Sequence, residues 1–235
     1  MGKKIKILLQ GLRNIIQGHW KNGAWCNFFF WRRKVLSGYT KYSVVTPAYN
    51  VELYLDDYFN SLVSQKLDFV NNIQLILVDD GSTDGTAKKI AQWQKKFPDN
   101  IVYLYQDNQG PNFARNAGIR FVKKPWVTFI DSDDFVHTDY FWHVDRLLRD
   151  YDHFDIKMLS CKEMVFSEKR SKYKDIRPFR VFHLQDPTLL PHNDLQDYVH
   201  FTLSSAFFPL NELKRQNFTL TLGQGWPCFE DGHSV

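Results

Sequence analysis

The segment WVTFIDSDDF ends an apolar run in Asp131, Asp133 and Asp134, with Ser132 between the first two. Asp131 and Asp133 flank one residue in an extended tip, so their carboxylates can converge on a single cation that relieves their mutual repulsion. Oxygen donors of this kind suit a hard divalent ion. Three more polar clusters stand out: PAYN at 47–50, DDGSTDG at 79–85 and DNQGPN at 107–112. Near the carboxyl end, Glu230 and Asp231 follow GQGWPCF, an aromatic, glycine-containing stretch. An acid pair in that position can act as a general base, or it can complement the dipole of a helix that it opens.

The elements around these clusters place them together. YSVVTP, IQLILV, IVYLY and WVTFI are short β-branched or apolar runs bounded by turn residues, and they read as strands. Leu55, Phe59, Leu62 and Val63 have helical spacing, and Ala87, Ile90 and Ala91 begin a helix that Pro98 ends. A further helix is expected after Thr138, with Phe141, Leu147 and Leu148 on its inner face. Alternating strand and helix over residues 42–131 predict an α/β fold with a mainly parallel sheet and helices on both faces. Weaker strand signals at DIKMLS and FRVFHL suggest a mixed or antiparallel edge. All four polar clusters then fall at the carboxyl ends of parallel strands, where open α/β sheets bind their ligands. Asp, Asn and Gly also form turns and caps, which accounts for any one cluster alone but poorly for four together.

Composition narrows the classes. The chain has 235 residues, 43% of them hydrophobic, enough for one good core with a small appended part. Cys26, Cys161 and Cys228 are too widely spaced for a zinc site or a disulfide framework, so a reducing, cytoplasmic setting is expected. The histidines show no metal-ligand spacing, and no Gly-x-Ser-x-Gly elbow is present. Residues 1–41 carry nine Lys or Arg and no acid, whereas the rest holds 21 bases against 26 acids. An acidic body without a basic stripe argues against nucleic-acid binding.

The pieces SVVTPAYN, LVDDGSTDGT, NQGPNFARNAGI, FIDSDD and FEDGHSV, in this order and spacing, resemble glycosyltransferase family 2, the GT-A nucleotide-diphospho-sugar transferase fold. The resemblance is strong over residues 42–140 and looser over 200–235. It implies an inverting, metal-dependent glycosyltransferase that moves a sugar from a UDP-sugar to a glycan or lipid-linked acceptor, in bacterial surface polysaccharide synthesis. On that basis Asp133 is the direct ligand of Mg²⁺ or Mn²⁺, shared with the diphosphate, and Asp131 lies near the ribose and the metal. Thr46, Pro47, Ala48, Tyr49 and Ser132 are expected to contact the donor, with the Tyr49 ring beside the base. Asp79 or Asp80 should accept a hydrogen bond from the uracil imide, while Ser82 and Asp84 read as turn and cap residues. Arg115 can reach the diphosphate bidentately or pair with a neighbouring acid. Asp231 matches the family's base, and Glu230 supports the acceptor or braces the loop.

Three expectations concern organisation. Residues 1–41 form a basic segment in which Ile5, Leu8, Leu9, Leu12, Ile15 and Ile16 fall at helical spacing, followed by WCNFFFWRRK. Residues 1–36 are expected to contact the inner face of the cell membrane, packing on the body being the other reading. Residues 42–140 form the donor-binding half and 141–235 the acceptor-side half, which looks incomplete because only four residues follow Asp231. The alternative functions are a catalytically silent nucleotide-sugar binding module and a nucleotidyltransferase, whose usual glycine-rich basic loop after the first strand is not seen.

Overall fold

The computed structural model describes residues 4–7, 39–152, 155–160, 163–167, 172–175 and 206–220. Its main sheet is built from β2 (Tyr42–Ala48), β3 (Ile73–Asp80), β4 (Ile101–Gln106) and β5 (Trp126–Phe129). Short strands β7 (Leu159–Ser160) and β10 (Ala206–Pro209) extend it to six strands in the order β4-β3-β2-β5-β10-β7. The first four are mutually parallel, and β10 runs antiparallel to both β5 and β7. The predicted parallel sheet with an antiparallel edge is what forms, and its strands come from both sides of residue 140.

Every residue of β2 and β3 is buried, as expected of central strands covered on both faces. On one face lie α1 (Leu55–Val63), α3 (Thr86–Lys96) and α5 (Tyr140–Asp150). Leu55, Phe59 and Leu62 pack there with Ile90, Trp93, Phe141 and Val144 over Val44, Leu75 and Leu77. Tyr42, Phe141 and Phe207 meet edge-on, with ring centroids 5.2 to 5.8 Å apart, and join β10 to this core. The other face carries α4 (Pro111–Ile119) and α6 (Leu210–Arg215), whose Ala114 and Leu213 cover Val45, Ile76 and Val78. A short α2 (Phe69–Asn72) leads into β3. Among the described residues no helix is long and apolar enough to cross a membrane.

A second sheet has the order β6-β1-β8-β9, with β1 at Lys4–Ile7, β6 at Phe135–Val136, β8 at Glu163–Ser167 and β9 at Lys172–Asp175. β1 runs parallel to β6 and antiparallel to β8. Lys4–Ile7 is therefore a strand and not the first turn of the expected amphipathic helix. The sequence Lys-Ile-Lys-Ile alternates with period two, and that local pattern prevails over the longer helical one. The rest of the proposed helical stripe, from Leu8 to Ile16, and the segment FRVFHL lie outside the described residues.

Candidate active site

β2, β3, β4 and β5 all end at the same edge of the sheet. Ala48 pairs with Asp79, Asp80 pairs with Gln106, and the Ile130 N–H bonds the Val45 carbonyl 3.3 Å away. The four polar clusters thus form one rim, and a network of hydrogen bonds ties them together.

The loops after β2 and β3 hold each other. Asn50 adopts a left-handed φ of 51°, and its Oδ1 accepts from the Thr83 N–H at 2.8 Å. Ser82 Oγ accepts from the Asn50 N–H, and Asp84 accepts from Glu52 N and from Thr86 N at the start of α3. Ser82 and Asp84 therefore shape the turn, as the sequence suggested. Gly81 has φ of 76°, and a Cβ there would lie 2.9 Å from the Asn108 backbone nitrogen, so only glycine lets the β4–α4 loop come this close.

Asp79 and Asp80 are both buried and point to opposite faces, as consecutive strand residues must. Asp79 Oδ1 accepts from Ser82 N and its Oδ2 from the Tyr103 hydroxyl, each at 2.9 Å. Burial first, and then the hydrogen bond to Asp79, push the Tyr103 hydroxyl up to about 12. Asp80 takes three donors: Gln106 Nε2 at 2.7 Å and Gln109 N at 2.9 Å on Oδ1, and Gly110 N at 2.8 Å on Oδ2. An ionised carboxylate offers about four acceptor sites, so Asp79 keeps more capacity for a further donor than Asp80 does.

Thr46 is buried, and its hydroxyl shares a hydrogen bond with Tyr58 OH, whose ionisation burial strongly disfavours. Pro47 and Ala48 are buried at the end of β2, whereas the Tyr49 ring is half exposed at the rim. Of PAYN, it is Tyr49 that offers an open side chain to a ligand.

The acid tip follows β5. Arg115, in α4, donates from Nη2 to Asp131 Oδ1 at 2.5 Å and from Nη1 to Asn112 Oδ1 at 3.2 Å. Of the two sequence readings for Arg115, the pairing with an acid is the one observed. Arg115 Nε has no hydrogen-bond partner among the described residues. Ser132 and Asp134 are buried, and the Asp134 N–H closes a turn onto the Asp131 carbonyl at 3.1 Å. α5 begins only at Tyr140, five residues beyond the start of the short strand Phe135–Val136 that follows the tip. Burial, reinforced by the charge of Asp131, pushes the Asp133 carboxyl above its ordinary range. That pair, in which one acid is steadied by an arginine and the other is reluctant to ionise, fits a divalent cation. Among the described residues no three His, Cys, Asp or Glu side chains gather as a metal cage. A cation at Asp131 and Asp133 would take its remaining ligands from substrate and water.

Glu230 and Asp231 lie outside the described residues. The approach to them does not: Phe218 and Leu220 are buried against the α4 face of the sheet. Asn116 pairs through both its amide atoms with the backbone of Leu220. Gly118 lets α4 sit down on the sheet, since a Cβ there would lie 2.5 Å from Val45 Cγ1. Sequence reasoning passed over both residues. The signal available was an Asn and a Gly inside a helix, where neither is favoured without a tertiary reason.

The family model described as glycosyl transferase family 2 matches residues 43–202, over half of the chain. The minor teichoic acid biosynthesis protein GgaB of Bacillus subtilis is 41% identical over 103 residues, covering 44% of this chain and 11% of GgaB. GgaA of the same organism, also a minor teichoic acid biosynthesis protein, is 34% identical over 171 residues, covering 71% of this chain and 36% of GgaA. The Staphylococcus aureus poly(ribitol-phosphate) beta-N-acetylglucosaminyltransferase TarS is 30% identical over 169 residues, 66% of this chain and 29% of TarS. The crystal structure of TarS 1–349 superposes with a TM-score of 0.64 at 24% identity over 77% of this chain and 50% of that one. TarS 1–349 has also been solved with UDP and with UDP-GlcNAc. The chain therefore spans about a third or less of the length of these curated relatives.

Proposed function

Because the chain belongs to glycosyltransferase family 2, we propose that it moves a sugar with inversion from a UDP-sugar to a glycan or lipid-linked acceptor during bacterial surface polysaccharide synthesis. The observation that carries this reading is the single rim, in which Asp79, Asp80, Tyr49 and the Arg115–Asp131 pair stand at the ends of parallel strands. The teichoic acid relatives and the UDP-GlcNAc complex of TarS support the acceptor class and the donor.

In this reading Asp79, with acceptor capacity left, receives the uracil imide N–H beside the Tyr49 ring, and Asp80 holds the β4–α4 loop that walls the nucleotide. Asp133 and Asp131 would hold Mg²⁺ or Mn²⁺, which when bound supplies positive charge to the diphosphate. Arg115 holds Asp131 through its Oδ1 alone. As the acceptor oxygen bonds to the anomeric carbon, the bond to the diphosphate oxygen breaks on the opposite face and UDP departs with the electron pair. Asp231 takes the acceptor's proton, and Glu230 braces the acceptor. Of residues 1–36, Lys4–Ile7 is engaged in the second sheet, which leaves 8–36 for contact with the anionic inner leaflet.

Calorimetry with UDP, with and without Mn²⁺, followed by UDP release from UDP-GlcNAc in the presence of a polyol-phosphate acceptor, tests the proposal. Metal-dependent UDP binding with acceptor-stimulated release is expected. Absence of UDP binding in either condition would falsify the reading, and binding without any release would reduce the chain to a nucleotide-sugar binding module.

A further inference from the structure

We propose that the amino edge of the main sheet, opposite the candidate active site, is a surface on which the folded body docks to an anionic lipid bilayer. β2, β3, β4 and β5 all start at this edge, where Tyr42 is level with Trp126 and with Ile73, and Leu75 with Ile101. Lys41 precedes β2, and its carbonyl accepts from Trp126 N at 3.4 Å. Arg120, Lys123 and Lys124 lie in the connection from α4 to β5. The backbone of that connection is pinned to the strand starts. Gln74 Nε2 donates to the Phe121 carbonyl, and the N–H groups of Lys123 and Lys124 donate to Gln74 Oε1 and Ser43 Oγ. Among the described residues none of these four cations forms an ion pair. Lys41, Arg120 and Lys123 are exposed and Lys124 is half-buried. Lys95 and Lys96 close α3 at the same edge. Against them stand Asp68 and Asp99, and Asp68 is taken up by its own turn, where it accepts from Val70 N and Asn71 Nδ2.

Cations at helix carboxyl ends are favoured by the helix dipole, which accounts for Lys95, Lys96 and Arg120 but not for Lys41, Lys123 and Lys124 at the strand starts. Nor does it account for the apolar side chains set among them. Phe121 stands 45% exposed between Arg120 and Lys123, while its neighbour Val122 is buried. Val70 is 57% exposed on the next turn, which Asn100 Nδ2 ties to the start of β3 through the Val70 and Ile73 carbonyls. Cations around an exposed ring fit an anionic leaflet, because headgroup phosphates take the charges and the ring enters the boundary with the acyl chains. A soluble polyanion would use the cations alone. At the other end of the strands Glu52, Asp84, Asp107, Asp131 and Asp133 crowd the rim, so only the amino edge suits such a leaflet. β2 is seven residues long. At about 3.3 Å per residue, the rim then stands on the order of 20 Å from the lipid. In the transfer reading proposed above, the site opens to the aqueous side and serves acceptors whose growing end stands that far from the leaflet.

The test is co-sedimentation of the full 235-residue chain with phosphatidylcholine vesicles that contain or lack phosphatidylglycerol. Two variants are compared with the parent, the triple reversal Lys41→Glu/Lys123→Glu/Lys124→Glu and the single change Phe121→Ser. The rest of the basic amino-terminal segment is the same in all three, so any difference reports the body. The parent should bind the vesicles that contain phosphatidylglycerol. The triple reversal should lower that binding by about tenfold or more, since each lysine beside an anionic leaflet is worth about fivefold. Added salt should shrink this difference. Phe121→Ser should lower binding by about threefold at every salt concentration, because the lost contribution is apolar. Urea midpoints should match that of the parent; if the triple reversal unfolds, Phe121→Ser decides alone. Parent-like vesicle binding by Phe121→Ser or by the folded triple reversal would overturn the proposal, as would equal binding of the parent to phosphatidylcholine alone or no binding to either vesicle. Binding of soluble poly(ribitol phosphate) that the triple reversal loses, with vesicle binding unchanged, would assign the edge to a polyanion instead. No measurement here involves UDP, so a chain that fails to bind UDP sinks the transfer reading and leaves this result standing.

Discussion

Arg115 is the one cation that touches the acid tip among the described residues, and its guanidinium faces a carboxylate whose neighbour, Asp133, already resists ionisation. Removing it leaves two acids close together where a diphosphate is expected. Arg115→Met should weaken metal-free UDP binding by about tenfold, the scale of a lost charge-assisted bond. With saturating Mn²⁺ the loss should be smaller, since the ion restores positive charge at the same place. Calorimetry in both conditions checks this, and equal losses would mean that Arg115 only shapes the tip. At this scale the sequence displayed the acids and their spacing but not their partners. Asp80 draws its three donors from positions 26, 29 and 30 residues away, and Arg115 meets Asp131 across 16 residues. A long side chain's partner is a property of the folded neighbourhood, which periodicity does not encode.

The elements were more legible than their contacts. Four parallel strands and the helices after them followed from short β-branched runs alternating with helical spacing, and each formed close to its expected place. The missed strands are short: β10 has four residues and β1 has four, and their pairing is with chain 80 to 160 residues away. Two helices offer direct tests. Gly118→Ala puts a methyl group 2.5 Å from Val45 Cγ1 at the seat of α4 and should destabilise the chain by about 1–3 kcal/mol, as overpacking does. Urea unfolding measures it, and a neutral result would show that α4 can lift. In α6, the hydrogen bond from Arg215, with others from Gln216 and Lys157, holds the Glu212 carboxyl at about 2 against burial. A depressed carboxyl contributes stability that is complete above its ordinary value of 4.5 and is lost as pH falls toward 2. Because Arg215 is exposed, the contribution is on the order of 1–2 kcal/mol. Glu212→Gln should remove it and flatten the stability profile between those pH values; an unchanged acid slope would assign the effect to other carboxyls.

At the scale of the whole molecule, ligand binding should register as resistance to unfolding. UDP at about a hundred times its dissociation constant should add about 2.7 kcal/mol. The part of that gain that requires Mn²⁺ should vanish in Asp133→Ala while the metal-independent part persists; retention of the full gain would remove Asp133 from the metal site. In the same sheet that presents this site, β5 is paired on one side by β10, which reaches it from about 80 residues later in the chain. During synthesis, β2 to β5 are complete once residue 129 has emerged, yet β5 remains an unpaired edge until Ala206–Pro209 follows. At about 5–20 residues per second, the intervening stretch of roughly 80 residues takes on the order of 4 to 16 s. For that interval a nascent chain exposes Val127 and Phe129 beside unpaired backbone groups, a template for another strand. The ribosome-bound intermediate is therefore the form of this protein most exposed to aggregation, and a holdase that covers β5 until β10 arrives should raise the yield of native chain more than one that acts after release.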